Sequence, residues 1–134
     1  MSQENTEVAY KMRDAWNADD WDALAACFAP NVVGIGPKDW PDAAETHGWK
    51  QARRQFERLK DSWEVEQAEV DEIRAVGDDR VLARFRWITT GKSSGISTEV
   101  PMSFLSTIRE GRIERFQFFL DHADALEAAG LRDG

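Results

Sequence analysis

Apolar positions change their period once along the chain, near Trp63, and that change separates a helical front from a sheet-forming remainder. Before it, Val8, Met12, Ala15 and Trp16 recur at helical spacing over residues 7–17, with Tyr10, Arg13, Asp14 and Asn17 on the other side. Residues 17–20 break this helix. Asp19 or Asp20 then caps a short second helix running through Cys27, because a carboxylate there accepts an unpaired backbone N–H and suits the positive helix end. Pro30 stops it. Val32, Val33 and Ile35 read as a short strand in which Gly34 and Gly36 permit a bend or a close approach. Residues 37–47 read as a surface loop carrying Trp40, which is expected to turn inward as a lid over a pocket. The clearest helical period is Trp49, Ala52, Phe56, Leu59 and Trp63, opposed by Lys50, Gln51, Arg53, Arg54, Glu57, Arg58 and Lys60.

After Trp63 the period is two. Strands are predicted over residues 65–76, 80–90, 97–109 and 112–120, joined by turns at residues 77–79, 91–95 and 110–111, as an antiparallel meander. In the first of them Ala68 and Val70 have one parity and Ile73 and Ala75 the other, so a bulge is expected at Asp71 and Glu72. A closing helix follows over residues 123–129, with Asp121 as its cap and Gly130 as its stop. Helices followed by a long bent sheet define an α+β domain with helices over one sheet face. Met102, Phe104 and Ile108 alternate with Ser103, Leu105 and Thr107, and Phe119 opposes Phe116 and Phe118. Both faces therefore carry apolar groups, and a two-fold homodimer through the sheet is expected.

Length and charge narrow the partners. A chain of 134 residues is read as one domain, 1–134, large enough to bury a core without disulfides or a metal. The net charge of −8 disfavours nucleic acid and anionic membranes. Cys27, the single cysteine, lies in an apolar run and reads as a buried inert thiol in a reducing compartment. Neither a signal peptide nor a bilayer-length apolar run is present in the sequence, so a cytoplasmic protein is expected. The two histidines, His47 and His122, lie far apart and form no metal-ligand pattern, so neither metal nor cofactor is expected.

The stretch from Ala15 to Val32, the His47-Gly48-Trp49 entry to its helix, and the run from Gly111 through Leu120, Asp121 and His122 to Gly130 resemble the SnoaL-like branch of the nuclear transport factor 2-like superfamily. The resemblance spans nearly the whole chain. It implies a cone-shaped barrel of curved antiparallel sheet, covered on its concave face by N-terminal helices, with one pocket used for different chemistries in different members. Ketosteroid isomerase-like members need a general base and an oxyanion hole, and the matching positions here are Gly36, Met12 and Ser103. None removes a proton. The final-strand aspartate of epoxide hydrolase-like members falls on Phe118. The cyclase-like aspartate, however, matches Asp121, which leaves Asp121 and His122 as the acid/base candidates that the resemblance supplies.

Local chemistry offers Asp121 another role, as the N-cap of the closing helix. Arg84 and Arg86 share a parity that places them on the convex face near Glu66, Glu72 or Glu99. The aromatic residues, with Met12 and Ser103, suggest the site: Met12, Trp16, Trp40, Trp49, Phe56, Trp87, Ser103, Phe116 and Phe118 are expected to line a pocket for a small apolar or aromatic molecule. Two alternatives stand beside binding. One is a cofactor-free cyclase or isomerase in which Asp121, with His122, moves a proton while Ser103 polarises a carbonyl. The other is an interaction module that uses the convex sheet face.

Overall fold

The change of period near Trp63 is a change of secondary structure in the computed structural model, which describes residues 2–37 and 45–131. In chain order the elements are α1 (Ser2–Asn17), α2 (Trp21–Ala26), β1 (Phe28–Ile35), β2 (Thr46–His47), α3 (Trp49–Asp61), β3 (Val65–Val76), β4 (Arg80–Thr90), β5 (Ser97–Arg109), β6 (Arg112–Phe119) and α4 (His122–Ala128). Trp40 lies outside the described residues. No helix among the described residues is long and apolar enough to cross a membrane.

Helix ends follow the side chains available to satisfy them. The α1 helix closes with Asp20 N–H on Ala15 O and Asp19 N–H on Trp16 O, with Asp19 left-handed at φ 53°. Asp20 then serves twice, because its side chain accepts from Ala23 N and caps α2. At the other end of the chain Gly130, at φ 75°, ends α4: Leu131 N–H reaches Leu126 O and Gly130 N–H reaches Glu127 O. The α1 helix begins earlier than its apolar period suggests. Asn5, buried in its first turns, donates to Asp78 O at 2.9 Å and ties it to the β3–β4 turn.

The six strands form one sheet in the order β2-β1-β6-β5-β4-β3. From β3 to β6 it is the antiparallel meander that the alternation predicts, with the register shift between Val70 and Glu72 where the parity slips. The pairing of β1 with β6 departs from the wholly antiparallel expectation, because these strands run parallel. They meet through the long intervening chain rather than a hairpin, and alternation within a strand carries no information about direction. Pro30 does not stop α2, which ends at Ala26; it lies within β1, where the register with β6 breaks between Phe28 and Val33. A strand proline with no N–H to donate is tolerated at such a break. Gly34 is required by close approach, since a Cβ there would run into the Phe116 ring and the Thr46 hydroxyl.

The main core lies between the helices and the concave sheet face, around Phe28, Phe56, Phe116, Val32 and Ile113. A second, smaller core lies on the convex face, where Ala125, Leu126 and Ala129 of α4 pack with Val76, Leu82, Leu105 and Phe119. Arg80 donates to the carbonyls of Ala128 and Ala129 at the end of that helix. Thus α4 covers apolar side chains that the sequence assigns to contact with a second copy.

Candidate functional site

The concave face of a bent sheet cannot be filled by straight helices along its whole length, and a cavity of about 170 Å³ remains between α1, α3 and strands β3 to β6. Ala9, Met12 and Trp16 reach it from α1, and Phe56 and Leu59 from α3. The sheet contributes Ala68, Val70, Ile73, Ala83, Phe85, Trp87, Met102, Phe104 and Phe118, and Gly36 and Pro37 close one side. Its polar lining comes from Arg13, Gln55, Arg58 and Ser62; Arg58 and Ser62 are exposed and mark the opening to solvent. No carboxylate, histidine, lysine, tyrosine or cysteine lines it among the described residues.

Of the residues expected to line the pocket, Met12, Trp16, Phe56, Trp87 and Phe118 do so. The remaining described ones are elsewhere, for local reasons. Phe116 is buried beneath the cavity, with ring centroids 5.7 Å from Phe28, 5.7 Å from Phe56 and 5.5 Å from Phe104. Trp49, at the start of α3, stacks on Phe28 at 4.9 Å and is spent on core packing. Ser103 has the parity opposite to Met102 and Phe104, so it faces α4, and its Oγ lies 2.6 Å from His122 Nδ1. That contact pins α4 to the sheet. Asp121 is exposed and caps α4, its Oδ1 accepting from Ala123 N at 2.9 Å. Neither Asp121 nor His122 lines the cavity. Among the described residues, no group of three His, Cys, Asp or Glu could hold a metal ion.

Sequence reasoning missed the lining residues Arg13, Arg58, Leu59, Phe85, Met102 and Phe104, and with them a buried carboxylate behind two of the tryptophans. The Glu66 side chain is 7% exposed, and its Oε1 accepts from the indole nitrogens of Trp16 at 2.6 Å and Trp87 at 2.9 Å. Its Oε2 meets Lys60 Nζ at 2.8 Å; the Lys60 side chain is 9% exposed and also donates to Trp16 O and pairs with Asp19. The ammonium sits 4.1 Å from the centroid of the Trp16 ring. Glu66 is therefore not a partner of Arg86 on the convex face. Arg86 pairs there with Glu69, Asp71 and Glu99, and Asp71 foremost holds its guanidinium pKa further up. The signal was present in the sequence, because Glu66 shares the parity of Ala68 and Val70. A second link bridges α1 to the edge of the sheet: the Asn17 amide donates to Ala68 O and accepts from Ala68 N, both at 2.9 Å. Both links fix the tryptophan walls of the cavity.

Helices over the concave face of a bent sheet, with an apolar pocket between them, make the nuclear transport factor 2-like architecture. Within that class the chain belongs to the SnoaL-like domain family, whose model matches residues 9–116. Three solved structures illustrate the likeness. A protein provisionally assigned as a SnoaL-like polyketide cyclase from Jannaschia sp. CCS1 superposes with a TM-score of 0.78 at 20% identity, covering 98% of this chain and 95% of that one. Wild-type IdmH from Streptomyces antibioticus, also provisionally a polyketide cyclase, gives 0.77 at 20% identity over 95% and 99%. Bal32a, from a soil-derived mobile gene cassette, gives 0.79 at 19% identity over 87% and 88%. No curated protein matches the chain.

Proposed function

We propose that this SnoaL-like protein binds a small apolar molecule bearing one ring in the cavity between α1, α3 and the sheet, and that binding, not proton transfer through Asp121, is its activity. The carrying observation is the lining: Met12, Trp16, Phe56, Phe85, Trp87 and Phe118 surround about 170 Å³, and the ionisable groups among the described lining residues are two arginines. A guanidinium stays protonated and cannot serve as a general base. Engineered apolar cavities of roughly 150 Å³ take up benzene, so the volume suits one ring with a short substituent. Against the cyclase or isomerase alternative, the Asp121 carboxylate is already engaged as a helix cap outside the cavity. Against the interaction-module alternative, α4 lies over apolar residues of the convex face.

A thermal-shift and calorimetric titration with neutral ring compounds, in the parent and in Ala68→Leu, tests the reading. The added side chain occupies the cavity, so the parent is expected to bind and the variant to fold but lose at least tenfold in affinity. Equal binding by both would place the ligand elsewhere. For assembly, we propose a homodimer through the open part of the sheet, supported by exposed Val65 and Ile96; sedimentation equilibrium tests it, a monomer at all concentrations being the contrary result.

A further inference from the structure

An apolar ligand alone does not account for the charge at the opening. The chain as a whole carries −8, yet α3 presents Lys50, Arg53, Arg54, Arg58 and Lys60 against Glu57 and Asp61. Of these, Arg58 lines the cavity, and Arg13 lines it from α1. Arg13 pairs with its neighbour Asp14 at 2.8 Å. The Arg13 guanidinium is thereby engaged, with Nε also donating to Asp14 and its Cζ 5.1 Å from the Tyr10 ring centroid. No carboxylate pairs with Arg58 among the described residues, and Glu57, its neighbour, pairs with Arg53. Arg58 at the opening, with no carboxylate in the described lining, makes a rim that favours an anion, and the fork of an arginine suits a carboxylate. The overall negative charge opposes this only weakly, because at physiological salt fields are screened beyond about 8 Å.

From this we infer that the ligand is an amphiphilic anion: an apolar ring held among Trp16, Phe56, Trp87 and Phe118, with a carboxylate at the mouth facing Arg58. The inference rests on the pocket reading above and narrows its ligand class. Gln55 and Ser62, also at the rim, add neutral polar groups that accept or donate beside the same head group.

Three probes of one shape test it by calorimetry at about 0.15 M salt: 3-phenylpropanoate, 3-phenylpropanamide and 3-phenylpropylammonium. The carboxylate is expected to bind about two- to fivefold more tightly than the amide, and the ammonium more weakly than both, as suits one exposed ion pair. Arg58→Gln should abolish that preference and 0.5 M salt should shrink it. Arg54→Gln, on the exposed side of the same helix and outside the lining, should leave it unchanged. Equal affinity for the three probes, or an equal loss in Arg54→Gln, overturns the anion inference while the pocket reading stands. No binding of any probe overturns both. Circular dichroism of Arg58→Gln confirms that a lost preference is not a lost fold.

Discussion

Replacing Glu66 with leucine removes one carboxylate that serves three donors, and the geometry fixes what should follow. Its Oε1 accepts from the indole nitrogens of Trp16 and Trp87, and its Oε2 faces Lys60 Nζ at 2.8 Å. Leucine deprives both indoles of this acceptor, and a buried donor that loses its partner typically costs about 1–3 kcal/mol. It also leaves Lys60, 9% exposed, with Trp16 O and the exposed Asp19 carboxylate as its remaining partners. Removing one partner of a buried pair typically costs about 3–5 kcal/mol. The two figures overlap, and the added apolar side chain offsets part of them, so we expect a loss of about 3–5 kcal/mol. For a chain of this size that is about 10–20 °C in Tm. Equilibrium urea unfolding followed by far-ultraviolet circular dichroism measures it free of the tryptophan signal, and near-ultraviolet dichroism should report looser indoles. Glu66→Gln keeps an acceptor but removes the charge, and should cost about 1–3 kcal/mol. In the background of Glu66→Leu, Lys60→Met should cost less than it does in the parent, a coupling of about 1–3 kcal/mol. Glu66→Leu within about 1 kcal/mol of the parent would refute the reasoning.

Two further predictions rest on other contacts. Asp121→Ala should lose about 1 kcal/mol of stability by removing the cap on Ala123 N, and should leave binding of the phenylpropanoate probe unchanged; a loss of binding without a loss of stability would return Asp121 to the site. Burial pushes the Cys27 thiol pKa up, with Lys11 pulling it slightly back, so the folded state holds the proton more tightly than the unfolded chain. The resulting stabilisation is complete below the unfolded thiol pKa and is lost as pH rises through that value toward the folded one. Alkylation by iodoacetamide between about pH 8 and 10 should therefore be much slower in native than in denatured protein, and equal rates would contradict the burial.

The sheet was legible because its signal is local. Strands β3, β4 and β5 fall on the predicted residues, β6 ends one residue earlier than expected, and the parity slip at Asp71 and Glu72 marks the bulge. Parity also carried more than the family likeness did. It places Ser103 opposite Phe104, and in the structure Ser103 meets His122 under α4 instead of the cavity. The capping chemistry of Asp121 could likewise be read from the residues that follow it. Trp49 and Phe116 resemble the other aromatics in every local respect, and nothing in their neighbourhoods assigns them to the core instead of the cavity.

By itself the sequence determined the helices, the β3–β6 meander, the caps at Asp20 and Asp121 and which residues share a face, since these depend on backbone geometry and on neighbours within a few positions. It determined neither the early start of β1 nor β2. Only the tertiary structure decided that Glu66 meets Trp16 across 50 positions and Trp87 across 21, that β1 lies parallel to β6, and which aromatics surround an opening. Such contacts depend on how curved sheet and straight helices fail to fill one another, a property of the assembled volume that no local pattern encodes.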